Sequence, residues 1–421
     1  MKSTKYFIVL SLIALTLIPL SFGLQMGDIN KDEDVNIADV VYLFKNRDVP
    51  LEEGDLNCDG TINIADVVYL FKNYDRFRSP VVFAEKFTLK PEWDEGYCYL
   101  EDSKENKFIL VVNGSTAPDI PGTTEITIPV QRIVTVFYSP VISTADILDK
   151  YHDTIKGAPK YAIYKSPKLT ELYKKGKVVN TGSTKSMNYE VVLNISPEIV
   201  FLGEWATHDE MEAKLKELGI TVARCFTYDE PTFLGRIEWI KFVAAFWGED
   251  AYKEANEYFQ RAWYERNNLL RVVSKSDNYP TVVNFWKWKD TSTPSVPEAQ
   301  NFYAKLIDQF HGKYLFSDIP GTGSTKIDSE TFIERARNAD VVILRTTKNI
   351  TCKEDLLREY PTSGFENFKA FKEGRFYVSK PDYYVWEARD PIGYMEDYAK
   401  MIHPELFPDE DSNLKYHVKL E

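Results

Sequence analysis

Glutamine is nearly missing from this chain, with five in 421 residues, and histidine is equally scarce. The five histidines, His152, His208, His311, His403 and His417, are dispersed, with no HxxxH pair and no His-rich loop. That spacing argues against a direct zinc site, which needs clustered imidazoles, and each histidine is expected at the surface or as a cap. Cysteine is limited to Cys58, Cys98, Cys225 and Cys352, without a CxxC, so a redox or thiolate metal centre is disfavoured. One or two disulfides are permitted, with all three full pairings open. Positive charge is in deficit, 51 Lys and Arg against 64 Asp and Glu for a net −13, which excludes the basic face a nucleic-acid partner requires. Beyond the first two dozen residues no apolar run is long enough to cross a membrane. There is no GxSxG and no phosphate loop. Glu204, at a predicted strand end, is the one candidate acid for glycosidase chemistry, and it lacks the second carboxylate such chemistry needs; the chain is therefore expected not to be an enzyme. The little glutamine, set against abundant Lys, Glu and Ile, is a bias of heat-adapted proteins.

What is present begins with Lys2 and Lys5 ahead of an apolar run from Tyr6 to Leu20, then Ser21 and Gly23. This reads as a secretory signal over 1–23 or an N-terminal anchor. The chain is expected outside the cell or at its surface. No cysteine lies near the cleavage point, which excludes a lipid-modified N-terminal cysteine. Sequons stand at Asn113, Asn194 and Asn349.

NIADVVYLFKN occurs at 36–46 and again at 63–73. Each copy follows oxygen-bearing residues at positions 1, 3, 5, 7, 9 and 12 of a loop: Asp28, Asn30, Asp32, Asp34, Asn36 and Asp39, then Asp55, Asn57, Asp59, Thr61, Asn63 and Asp66. Alternating oxygens closed by a carboxylate suit Ca²⁺, so calcium is the expected cofactor. Fifteen residues including Pro50 separate the loops, room for one helix per loop. The duplication resembles a type I dockerin module over 27–73. Val40, Val41, Leu43 and Phe44 of one copy are expected to be covered by the other, and Val35 and Ile62 to pack between the loops. Glu33 replaces the glycine wanted at position 6, whereas Gly60 is kept. Ile37, Ala38 and Ile64, Ala65 stand where cohesin-binding dockerins often carry Ser/Thr pairs; a surface protein remains a possible partner of the module, beside a purely structural role.

Residues 80–123 alternate apolar and polar residues, the pattern of a β-rich linker. From about 131, RIVTVF, EIVFLG and TVARCF alternate with helical stretches, and after a helix expected over 249–275 the alternation resumes with TVVNFW, ADVVILR and GRFYVS. The fold class is α/β: two Rossmann-like lobes, 124–248 and 276–421, bridged by a long α-helix, with a small all-α calcium-loop module over 24–79.

QRIVTVFYSPVISTADIL, MNYEVVLNISPEIVFLG, KIDSETFIERARNADVVIL, FKAFKEGRFYVS and IHPELFP follow one another in an order that resembles the substrate-binding proteins of iron-complex and vitamin B12 ABC importers, over 124–408. The resemblance implies a ligand cleft between lobes and delivery to a permease driven by an ATPase. It also implies that Glu190 and Glu330, pseudo-equivalent first-turn glutamates, meet the permease; both also suit a helix N-terminus. VISTADIL is longer than the usual form, with Asp146 where glutamate is common. Residues on the predicted strand-end loops, Tyr138, Ser183, Trp205, Trp286, Trp288, Thr322, Arg345, Tyr383, Tyr384 and Trp386, are the candidate cleft wall, with Lys185, Lys287, Lys289 and Lys326 nearby in sequence. Aromatic walls with basic groups suit a bulky anionic metal chelate such as a ferric siderophore, haem or a corrinoid. A surface scaffold or adhesin, and a carrier of a free metal ion or oxyanion, are the alternatives.

Overall fold

The computed structural model describes residues 25–407 and 413–421; the expected export segment, 1–23, lies outside the described residues. Its first unit holds the helices Ile37–Lys45, Leu51–Gly54 and Ile64–Arg78. The two longer helices start alike: Asn36 and Asn63 each accept from the backbone two residues on, while Asp39 and Asp66 return a bond to the cap, a reciprocal capping box. The short Leu51–Gly54 turn, led by Pro50, fills the space expected to hold no second helix. Val35, Val40, Leu43, Val67, Leu70 and Phe77 are buried, Ile62 partly so. Val41 and Phe44 are not covered, at 43% and 56% exposure, nor are their counterparts Val68 and Phe71. Residues 40 and 43 share a helix face that 41 and 44, one residue on, do not, so only half of the apolar set turns inward.

Residues 88–128 form an antiparallel-parallel sheet rather than a linker, with β1 Thr88–Glu92, β2 Tyr97–Glu101, β3 Lys107–Val112 and β4 Thr123–Ile128 in that order. The expected boundary at 124 falls inside β4, because that strand pairs in parallel with β3. Phe87 seats this unit on the first lobe through Trp239 and Phe242, with ring centroids 4.7 and 5.3 Å away.

The first lobe carries β5 Ile133–Thr135, β6 Ile155–Ala158, β7 Val179–Asn180, β8 Ile199–Leu202 and β9 Val222–Arg224. All pairs are parallel in the order β7-β6-β5-β8-β9. The order reverses between β5 and β8, and loops at such a switch point are where open α/β sheets take ligands. The second lobe holds β10 Thr281–Trp286, β11 Ser295–Pro297, β12 Lys313–Tyr314, β13 Ser324–Lys326, β14 Val341–Arg345, β15 Phe376–Ser379 and β16 His417–Lys419. Parallel β10, β14 and β15 form its centre and antiparallel β11, β13 and β16 its margins.

The bridging helix spans Glu249–Val273, two residues shorter than expected, and at 1.5 Å per residue runs about 37 Å. Ala251, Ala255 and Ala262 on its buried face let it lie against the helices Phe233–Ala245 and Pro391–Ile402. No helix among the described residues is long and apolar enough to cross a membrane. All four cysteines are free thiols, three of them buried, so the permitted disulfides do not form. The sequon asparagines are all exposed.

Candidate functional site

The central strands of both lobes are buried along their length, and their carboxyl ends set out the side chains of the candidate site. At the end of β14, Arg345 is 6% exposed. Its Nε donates to Asn284 Oδ1 over 2.8 Å and its guanidinium lies 4.1 Å from the Tyr303 ring and 5.9 Å from Tyr383. Asn284 is held by its own bond to the Tyr398 hydroxyl, 2.6 Å. A second guanidinium, Arg236, rises from the helix Phe233–Ala245 and stacks 3.9 Å from Phe302 and 4.5 Å from Tyr228. It donates to Glu387 over 3.1 Å, and Tyr303 donates to the same carboxylate. Burial works against its charge, but Glu387 and the phenols of Tyr228 and Tyr303 outweigh it and hold Arg236 more firmly protonated than usual. Among the described residues its Nε and Nη1 are buried with no protein partner, and it lines a small, partly open pocket of about 30 Å³ with Ser143, Thr144 and Thr227, room for a water.

Opposite, at the end of β8, burial pushes Glu204 up to about 7, Asp229 adding to the effect and Arg236 and Arg224 opposing it. Among the described residues its Oε1 is buried without a partner. Arg224, which ends β9, is fully buried and clamps the first lobe's loops by donating to Gly203 O, Asp209 and Glu212 over 2.7 to 2.8 Å. Two stacked guanidiniums linked through Tyr303 and the Glu387 carboxylate make a group suited to anions.

Of the residues expected in the cleft wall, Arg345 and Tyr383 belong to this group, and Trp286 lies beside Arg345 in the β10–β14 register. Trp205 stands 46% exposed at the first lobe's rim, edge-on to Phe137 at 5.7 Å, and Trp288 is 57% exposed. Tyr384 is half-buried and Thr322 exposed. Four others are otherwise engaged. Tyr138 is buried and its hydroxyl donates to Asp146; Ser183 accepts from Lys185 N and Ser186 N, closing its own turn; Trp386 stacks on Tyr416 at 5.3 Å and donates to Pro381 O; and Lys287 is buried, donating to Ser292 O over 2.6 Å. Arg236, Tyr228, Tyr303 and Glu387 went unread in the sequence. The available signal was Arg236 itself, a cation within the apolar run FLGRIEWIKF.

Glu190 and Glu330 are exposed in the first turns of the helices Tyr189–Ile195 and Ser329–Ala336, capped by Asn188 and Asp328. Those helices lead into β8 and β14, each paired in parallel with its lobe's first strand, so the two glutamates occupy matching places. Four of the five histidines, His152, His208, His403 and His417, are buried rather than at the surface, His311 is half-buried, and His403 does stand at a cap, the C-terminal one of Pro391–Ile402. Each buried one tethers a loop, as where His208 accepts from Gly203 N and bonds Thr184 O while burial pushes its pKa down.

In the N-terminal unit both loops close alike. Asp28 accepts from Asp32 N and Glu33 N, Asp55 from Asp59 N and Gly60 N, and all four carboxylates at positions 1 and 12 are buried. Asn30, Asp32, Asp34 and Asn36, like Asn57, Asp59, Thr61 and Asn63, bond along the loop to one another. Glu33 takes φ 70° where Gly60 takes 89°, a left-handed conformation that costs a non-glycine residue about 1 kcal/mol. Among the described residues no three His, Cys, Asp or Glu side chains gather as a metal cluster. The donor set is instead the mixed carboxylate, amide and hydroxyl oxygen set that a hard cation takes.

A profile described as periplasmic binding protein matches residues 143–383. An uncharacterized lipoprotein of Methanocaldococcus jannaschii is 55% identical over 343 residues, covering 81% of this chain and 87% of the relative. A second protein of that organism is 33% identical over 297 residues, 69% and 87% of the two chains. A TroA-like periplasmic binding protein from Veillonella parvula superposes with a TM-score of 0.52 at 17% identity over 70% of this chain and 95% of that one. A periplasmic heme binding protein from Pseudomonas aeruginosa gives 0.51 at 15% over 69% and 98%. At those identities the two structures speak for the fold.

Proposed function

Because this chain belongs to the periplasmic binding protein family, we propose that it is the extracytoplasmic solute-binding component of an ABC importer, holding an anionic metal chelate between its lobes and catalysing nothing. The observation that carries the reading is the pair Arg236 and Arg345, each stacked on aromatic rings and linked to one another through Tyr303 and Glu387. Two guanidiniums against the one carboxylate of Glu387, with burial pushing the Glu204 carboxyl up to about 7, would leave positive charge for a bulky anion, and Trp205, Trp286, Trp288 and Tyr384 would supply flat surfaces. Ferric siderophores, haem and corrinoids are the cargo classes of this shape and charge; a heme binding protein is among the structural relatives. Glu190 and Glu330 would meet the permease, whose ATPase lies on other chains.

The twin loops would hold Ca²⁺ through Asp28, Asn30, Asp32, Asp34, Asn36 and Asp39, and through Asp55, Asn57, Asp59, Thr61, Asn63 and Asp66; the ion would supply charge neutralisation. A dockerin-like tethering role is supported by the exposed apolar residues Ile37, Val41, Phe44, Ile64, Val68 and Phe71, repeated on both copies. The M. jannaschii relative is a lipoprotein, whereas the first cysteine here, Cys58, is buried in the second loop. The N-terminal segment and this unit would then keep the carrier at the cell surface. The deciding experiment is to purify the chain without denaturation from cells grown with iron and cobalt, extract it, and identify the released molecule by mass spectrometry and metal analysis. A stoichiometric chelate supports the reading; a bare metal ion or oxyanion supports the alternative carrier.

A further inference from the structure

The helix Tyr383–Arg389 belongs to the second lobe, yet both its ends are fastened to the first. At its C-terminal end Arg389 donates through Nη2 to Asp146 Oδ2 over 2.6 Å and to Lys165 O over 2.8 Å, and through Nε to the Tyr138 hydroxyl over 3.0 Å and Asp146 Oδ2 over 3.2 Å. At its N-terminal end Asp382 pairs with Lys165 Nζ over 2.6 Å. The second pair is partly exposed, the kind that contributes little. Arg389 is different, because the carboxylate it meets is 6% exposed.

Asp146 is built to receive it. Besides Arg389, the carboxylate accepts from the Tyr138 hydroxyl over 2.7 Å and the Ser166 hydroxyl over 2.6 Å, and bonds His152 Nε2 at 2.8 Å. Burial would push Asp146 up, but the bonds from His152, Ser166, Arg389 and Tyr138 outweigh it and hold the group below the ordinary carboxylate range. Were the lobes to part, the first lobe would keep this carboxylate and its three local partners but lose the guanidinium, leaving a buried negative charge without its cation. Contact across the cleft is thus favoured by the chain's own charges.

We propose that Arg389 and Asp146, beside the Arg236–Glu387 pair that ties the same helix to the first lobe, form a latch that holds the two lobes shut while the cleft is empty, so that cargo enters and leaves only when this contact breaks. Tyr138 serves the latch as a positioning residue and not as a cleft wall. The kinetic consequence rests on the transport reading; the closure itself does not.

The test uses the full chain without cargo. Hydrogen exchange and small-angle scattering are compared for the unaltered protein, Arg389→Ala, Asp146→Asn and the double variant. Expected is faster exchange, by about tenfold, within the range of coupling between linked sites, in the helix that does not carry the substitution: Val141–Leu148 for Arg389→Ala and Tyr383–Arg389 for Asp146→Asn. A larger radius of gyration should accompany it, and the double variant should go no further than either single one. Acceleration confined to the substituted helix, effects that add, or an unchanged radius would overturn the latch. Arg389→Lys, which keeps the charge and loses the fork, guards against misfolding and should fall between; Lys165→Ala should leave the exchange as it was. Because no cargo is used, failure here leaves the transport reading standing, and failure to find a cargo leaves the latch standing.

Discussion

Replacing Arg271 with alanine should free the N-terminal unit from the rest of the molecule. Arg271 sits near the end of the bridging helix, 7% exposed. It donates to Asp55 Oδ2 over 2.9 Å, Asp55 O over 3.0 Å and Glu52 O over 3.3 Å, so one side chain binds the second loop at two acceptors and the short helix before it at a third. Breaking a buried ion pair by removing one partner costs about 3–5 kcal/mol. Asp55 keeps two backbone donors, Asp59 N and Gly60 N, which places the loss near the low end, about 3 kcal/mol. A single small core of this size supplies no more than about 3–5 kcal/mol, so the unit should be left marginal. Calorimetry should show a low-temperature transition splitting from the main one, and limited proteolysis should cut between 78 and 81, ahead of the segment that Glu238 and Glu230 hold to the first lobe, while the lobes stay intact. An Arg271→Ala protein that melts in one unchanged transition and resists cleavage there would refute the reasoning.

Glu204→Gln should alter the pH dependence of stability. A carboxyl raised from 4.5 to about 7 keeps its proton in the folded state while the unfolded chain has lost it, so stability falls as pH rises from 4.5 to 7, by about 3 kcal/mol at most. The amide should flatten that part of the slope in urea melts at pH 5, 6, 7 and 8, and an identical slope would rule the shift out. Chelating calcium should melt the N-terminal unit and leave the lobes folded, visible as one calcium-dependent calorimetric transition; its absence would sink the calcium reading. Glu190→Ala combined with Glu330→Ala should preserve cargo affinity while weakening permease binding at least about tenfold, the scale of lost docking contacts. Equal permease affinity would count against their role.

The repeat, the strand and helix alternation and the bridging helix were legible because each is a local pattern: a copied phrase, a buried run followed by a polar turn, an apolar stripe at helical steps. The β1–β4 sheet was legible as strands but not as a sheet, since β3 and β4 pair in parallel across a loop whose path leaves no periodic mark. The cleft floor was the least legible part. Arg345 could be named because it ends a recognisable strand. Arg236 lies in a helix with apolar residues on every side, and only the packing of that helix under both lobes selects the face that turns to the cleft. Tyr138 was a candidate on a strand-end loop and Lys287 a neighbour in sequence, yet their polar groups are spent on Asp146 and Ser292. Strand ends therefore gave the candidates, while hydrogen-bond partners in the loop or turn that follows decided which of these side chains remain free. The buried histidines make the same point, because nothing within a few residues of His417 announces Asp397.

The most direct measurement is an equilibrium titration of the full chain, first stripped of bound molecules and shown to be folded, with ferric siderophores, haem and cobalamin, followed by tryptophan fluorescence and the visible spectrum. Saturable binding of one class, weakened on replacing Arg345 with glutamine, is the expected result. No response to any of the three, or binding indifferent to Arg345, would contradict a cleft that carries anionic chelates.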